Sequence, residues 1–359
     1  MTQEKAHRAA NPRLHGLDSL RGLAAIAVVL YHYTVGYDTL VQEHQPGLLQ
    51  LFPNGHFAVN LFFVISGFVI FMTLERSSSL ADFAVSRFAR LWPPYIACAA
   101  FTTSVIVLLH FNPMKLTVRD AVLNSLMMNK ALGIVPIDPS YWTLTCEVLF
   151  YAGIALAFFV LKIRQMEWAC LAWLAVSFLA RWSHFDDRHV RIAVVLDTEF
   201  CQFFVLGMMI YLITQRRNTW LTTFTALLAY LLNLFGPEFN PGNLKLWQFM
   251  LMSAAFPLAV WFIAEKKPRF LNVWPLLFLG EISYSLYLVH QIAGYWVIRT
   301  LENAGSGPNV SVLVAITAAI AAAACVRRLV EVPAQKGIRG WYRGLSSRAA
   351  LREERLQPQ

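Results

Sequence analysis

At 359 residues, with 57% hydrophobic side chains, only 14% charged and a mean hydropathy of +0.50, the chain is far too apolar for a soluble domain. The formal net charge is +9. Its basic tail, from Arg327 onward, follows a final apolar run, where such a tail faces anionic lipid; no nucleic-acid partner is expected.

Apolar stretches able to cross roughly 30 Å of hydrocarbon as a helix recur along almost the whole chain, which predicts an all-α, polytopic membrane bundle. The N-terminal segment, residues 1–13, is polar. LDSLRGLAAIAVVLYHY, residues 17–33, opens the first span (19–36), which lacks a small-residue cleavage site and is expected to stay as an anchor. It carries Arg21 and His32, 11 residues apart, or ~16 Å of rise and ~20° of rotation, so both face one side of a helix. Asp18 can pair with Arg21.

Span two (56–74) contains NLFFVISGF, in which the small pair Ser66 and Gly67 permits close helix approach. SRFARLWPPY, residues 86–95, sets Arg87 and Arg90 one turn apart before span three (92–110), and planar guanidinium pairs suit phosphates. In the 111–140 loop, TVRDAVLNSLMMNKAL reads as an amphipathic helix covering the bundle. Span four (141–162) begins at Tyr141 and Trp142; Glu147 then lies ~9 Å below the boundary, near the depth of His32.

Further spans are expected at 167–182, 199–214, 220–235, 246–264, 274–298 and 310–330. The total is ten, with eight or nine as the alternative because the spans at 167 and 220 are short. Span nine carries GEISYSLYLVHQ, a polar face with Glu281, Ser283, Tyr284 and His290 that can line a cavity. The membrane domain covers 14–330, and 331–359 forms a basic tail. Outer loops fall near 37–55, 183–198 and 236–245. With both ends inside, 22 of the 30 Lys and Arg lie on the cytoplasmic side and 8 outside, as the positive-inside bias demands. Trp and Tyr at the span edges form an interfacial belt. All five cysteines fall within apolar spans and are expected as reduced, packed thiols.

Ionisable groups in lipid are costly and mark a pathway or site. At one depth, His32 and Glu147 can act as a base and its orienter; a pair kept only for helix packing is the competing interpretation.

Together, LDSLRGLAAIAVVLYHY, NLFFVISGF, SRFARLWPPY, YWTLTCEVLFYAG, GEISYSLYLVH and VEVPAQK resemble the acyltransferase 3 family of integral membrane O-acyltransferases, over residues 15–338. The resemblance implies acyl-CoA, first of all acetyl-CoA, bound from the cytoplasm as co-substrate without a metal. It also implies a carbohydrate or glycolipid hydroxyl acylated from the other face of the cytoplasmic (inner) membrane. It carries catalytic roles onto Arg21, His32 and Glu147, the CoA end onto Arg87 and Arg90 with Ser66 and Gly67, and a site position onto Trp142; with Tyr284 and His290 on the polar face of span nine, Trp142 is expected to contact substrate. Many relatives have an acid where this chain has Asn60. His32 is then a general base or a transient acyl carrier. A transporter with intramembrane charges is the alternative, although no inverted repeat is visible.

Overall fold

A computed structural model describes residues 14–42, 47–183, 189–235 and 244–356. The expected N-terminal segment and most of the 236–245 loop lie outside the described residues. Among those described, the chain is helical with no strand. The long helices are α1 (His15–Tyr31), α2 (Ala58–Arg76), α3 (Leu80–Leu108), α4 (Trp142–Ala155), α5 (Met166–Trp182) and α6 (Cys201–Thr214). They are followed by α7 (Trp220–Phe235), α8 (Leu246–Lys266), α9 (Trp274–Val289), α10 (Gln291–Asn303), α11 (Pro308–Val326) and α12 (Val332–Leu356). By length and apolarity six spans qualify, or seven if α9 and α10 count as one. That falls short of ten, because several apolar runs form helices too short or too polar to meet both criteria. The fold is nonetheless that of a multi-pass membrane protein.

Lipid is as apolar as leucine, so helix contacts in a bilayer depend on close backbone approach rather than water exclusion. Two glycine crossings supply it. A Cβ at Gly67 of α2 would lie 2.0 Å from the carbonyl oxygen of Phe204 on α6, and one at Gly207 equally close to that of Val64. Likewise Gly22 of α1 abuts Gly280 of α9, where a Cβ would stand 2.2 Å from the Asp18 carbonyl. These crossings hold α1, α2, α6 and α9 around a common centre.

Polar ties finish the ends. Arg217 reaches both oxygens of Glu75 at 2.6 and 2.8 Å, and Tyr211 donates to the same carboxylate. Buried Glu331 accepts from Ser285, Arg327 and Gln335, joining α9 to the π-helical turn Arg327–Glu331 before α12. Ser79 caps α3 by accepting from the Asp82 amide, and α3 runs on through Pro93 and Pro94. Arg87 and Arg90 therefore sit on a helix, not on a loop before a span.

Several expectations need correction. The 117–132 stretch forms two short helices, Val118–Asn124 and Asn129–Leu132, rather than one. Asn124 ties its amide to the Asp120 and Val135 carbonyls, and Met127 takes positive φ, so the helix cannot continue. Cys325 is exposed, while the other four cysteines are buried; all five are free thiols. Trp168, Trp220, Trp247 and Trp274 stand exposed at helix starts, as a belt requires, whereas Trp142 turns inward.

The largest departure is in span nine, which bends by 75° between α9 and α10, at His290. Neither glycine nor proline marks the bend. It is held from outside the helix: buried Asp138 accepts from the Ile292 amide at 3.1 Å, a carboxylate at the start of α10. Tyr141 and Tyr33 donate to the Leu288 and His290 carbonyls, so the backbone groups released by the bend are satisfied by side chains.

Candidate functional site

Three cavities run in series through the bundle. The first, about 630 Å³, is lined by six basic side chains, among them Arg21, Arg76 and Arg90, against Asp18, Glu265 and Glu331. Arg21 also lines the second, a constriction of about 50 Å³ that holds Ser66, Glu147, Ser283 and Tyr284. Val59 and Tyr287 are shared by the second and the third, a cavity of about 350 Å³ containing His32 and Trp142. Arg21 and His32 thus mark the two ends of the constriction from one face of α1, as their spacing requires.

The expected meeting of His32 with Glu147 does not occur. Glu147 accepts from Ser66 at 3.2 Å and from the Tyr151 hydroxyl, in the electrostatic field it shares with Arg21, and it lines the constriction. His32 lies in the next cavity and pairs with His290: its Nδ1 is 2.7 Å from His290 Nε2, with the rings stacked at 21°. Glu147 lies beside Arg21, toward the other end of the same face of α1, because the level at which α4 packs against α1 is set by the bundle and not by residue counts from the span edges.

The partners decide the tautomers. His290 Nδ1 lies 2.9 Å from the Tyr287 carbonyl and 3.2 Å from that of Leu286, and carbonyls only accept, so Nδ1 carries the hydrogen. In the neutral pair His290 Nε2 is then an acceptor and His32 Nδ1 the donor. His32 Nε2 is left with its lone pair, in a residue that lines the third cavity. His32 also opens a π-helical turn, His32–Gly36, a local widening common at functional positions.

His290, expected among the substrate contacts, is 0% exposed and lines none of the three cavities; it reaches them only through its contact with His32. The bend at α9–α10 is what aims it at His32. Tyr284 lines the constriction and donates to the Leu91 carbonyl. Trp142 lines the His32 cavity, with the Lys130 ammonium 5.2 Å above its ring. Gly67 packs against the α6 backbone and lines none of the three cavities. Ser66 remains, bonded to Glu147. Arg90 lines the basic cavity; Arg87 lies behind it, donating to Ser86, with its Nε unpartnered. Asn60 lines the His32 cavity.

Sequence reasoning missed Tyr151, Tyr287, His56, Arg181, Asn233 and Gln291, all bonded at or lining these cavities. His56 and Gln291 were readable as polar groups inside apolar runs. Arg181 and Asn233 sat too near expected span ends to stand out.

Charged and polar side chains gathered around cavities inside an apolar helical bundle mark a functional site in an integral membrane protein. Residues 14–328 match the family described as acyltransferase domain, and the chain belongs to that family, whose members transfer acyl groups other than aminoacyl groups. It is similar to the exopolysaccharide production protein ExoZ of Rhizobium meliloti (strain 1021), 27% identical over 83% of this chain and 96% of that one. It is also similar to the acyltransferase MdmB of Streptomyces mycarofaciens, at 26% over 46% of this chain and 45% of the other. A third relative is the O-acetyl transferase of Shigella phage Sf6, at 30% over 39% and 45%. The aligned part thus spans about half the length of the latter two. No solved structure matches the chain.

Proposed function

We propose that the chain is a membrane O-acyltransferase that moves an acyl group, acetyl first of all, from acyl-CoA to a hydroxyl of a carbohydrate or glycolipid. The observation that carries this reading is the lone pair of His32 Nε2 at the far end of a conduit whose near end is basic. Guanidinium groups of Arg21, Arg76 and Arg90 suit the phosphates of CoA, and the acyl end reaches His32 through the constriction. Similarity to an exopolysaccharide production protein and to a phage O-acetyl transferase supports a sugar hydroxyl as acceptor.

In the reaction, His32 Nε2 takes the proton of the acceptor hydroxyl as its oxygen attacks the thioester carbonyl. The carbon–oxygen bond forms, the carbon–sulfur bond breaks, and the thiolate leaves with the proton that His32 returns. His290 holds the imidazole in the required tautomer and accepts from Nδ1–H as positive charge develops on His32, the role an acid plays in other triads. With the positive-inside bias, the basic cavity opens to the cytoplasm and the His32 cavity to the other side of the inner membrane.

The test is release of free CoA from acetyl-CoA by the purified full-length protein in nanodiscs, alongside mass spectrometry of surface glycans from a deletion strain and its complement. Acceptor-dependent CoA release and a glycan acyl group lost on deletion are expected. Absence of both with a folded, correctly inserted protein defeats the reading.

A further inference from the structure

Four buried side-chain polar atoms that lack a hydrogen-bond partner among the described residues belong to residues lining the His32 cavity: His56 Nδ1, Arg181 Nε, Asn233 Nδ2 and Gln291 Oε1. Unpartnered buried polar atoms are costly and rare in native proteins, and a cluster of them in one cavity is explained by a ligand that completes it. Asn233 and Gln291 are only 7% and 5% exposed. Two of the four residues are held in place from behind. Gln291 donates through Nε2 to the Tyr295 hydroxyl at 3.1 Å, which leaves Oε1 as its open end, and Arg181 donates through Nη1 to the Thr198 carbonyl at 3.0 Å.

Charge narrows the ligand further. Glu199, which lines the same cavity, is neutralised by its ion pair with Lys130. Arg181 forms no ion pair among the described residues, so its guanidinium is the uncompensated charge of the cavity. A hydroxyl-rich molecule suits the amide ends and the His56 ring, Trp142 supplies an apolar wall, and an anion suits Arg181.

We propose that His56, Arg181, Asn233 and Gln291 select the acceptor, and that the acceptor is an acidic sugar whose carboxylate meets Arg181 while one of its hydroxyls meets His32. This rests on the acyltransferase reading in taking the cavity as the acceptor's. It adds a substrate class and the residues that choose it.

The test is equilibrium binding of matched probes, methyl glucuronide and methyl glucoside, to the purified full-length protein, followed by tryptophan fluorescence. The glucuronide is expected to bind at least about tenfold more tightly, the difference a charged hydrogen bond makes. Arg181→Gln should bring that ratio close to one while Arg181→Lys retains most of it; a residue needed only for folding would not separate the two probes. Asn233→Leu and Gln291→Leu should weaken both probes alike. Equal binding of the two probes, an unchanged ratio in a folded Arg181→Gln protein, or no saturation by either probe overturns the proposal. CoA release measured on the same preparation separates the two readings: transfer without discrimination defeats only the acidic-sugar proposal, and discrimination without transfer defeats only the proposed reaction.

Discussion

His290 Nε2 lies 2.7 Å from His32 Nδ1, and its own Nδ1 is held by the carbonyl of Tyr287, one helical turn back. The chain turns by 75° where His290 sits. In the proposed mechanism an imidazole anchored to backbone takes the place usually given to a carboxylate beside the base.

His32→Ala should therefore abolish detectable transfer, since a general base contributes typically ~10²–10⁴ in rate. His290→Leu should lower kcat by a smaller factor with donor KM unchanged, and His290→Gln, whose carbonyl oxygen can still accept from Nδ1–H, should recover part of it. The double variant His32→Ala, His290→Leu should be no worse than His32→Ala alone, because members of one unit are not additive. Steady-state kinetics in nanodiscs decide this; a His290→Leu protein with wild-type kcat would remove the positioning role.

Glu147 should couple to Arg21 and not to His32. A double-mutant cycle on Arg21→Gln and Glu147→Gln is expected to give an interaction of about 0.5–3 kcal/mol, while His32 and Glu147, in separate cavities, should add within about 0.5 kcal/mol. Thermal inactivation of the detergent-solubilised variants measures the first, and single-turnover rates of partly active substitutions measure the second. A coupling confined to His32 and Glu147 would mean that the two cavities merge in the working enzyme.

Arg90→Ala removes one guanidinium from the basic cavity. Donor KM should rise about tenfold, the loss of one charge-assisted hydrogen bond, with acceptor KM unaffected. Saturation curves for acetyl-CoA give the answer, and an unchanged donor KM would leave Arg90 as a topology signal.

Gly67→Ala and Gly207→Ala each force a methyl group against backbone that has no side-chain freedom to yield. Overpacking of this kind costs about 1–3 kcal/mol, so both variants should lose detergent half-life and melt earlier. Gly153→Ala, with nothing within 4 Å of its Cβ, is the matched control and should behave as wild type. Equal stability of all three would mean that α2 and α6 do not cross this closely.

A reporter active only outside the cytoplasm should be silent when fused after residue 215 and active when inserted near residue 120. The charge asymmetry of the loops motivates this. The reverse pattern would exchange the donor and acceptor ends of the conduit.

Apolar run length was enough to establish a helical membrane bundle, and helical periodicity was enough to put Arg21 and His32 on one face, because both depend only on local geometry and on the solvent that surrounds it. The sequence also held the six segments by which the chain resembles its family, and it marked Ser66, Glu147 and Tyr284 as polar groups that lipid would exclude. It could not say which of them meet. Whether Glu147 lies with His32 or with Arg21 depends on how α4 packs against its neighbours, and the bond that places it, from Ser66, joins residues 81 positions apart. The partner of His32 was hidden for a second reason: the bend that delivers His290 is imposed by Asp138, Tyr141 and Tyr33 from other segments, with no glycine or proline of its own to announce it. Local sequence determines what a helix tolerates; only the packed bundle supplies the outside hydrogen bonds that let one break inside a membrane.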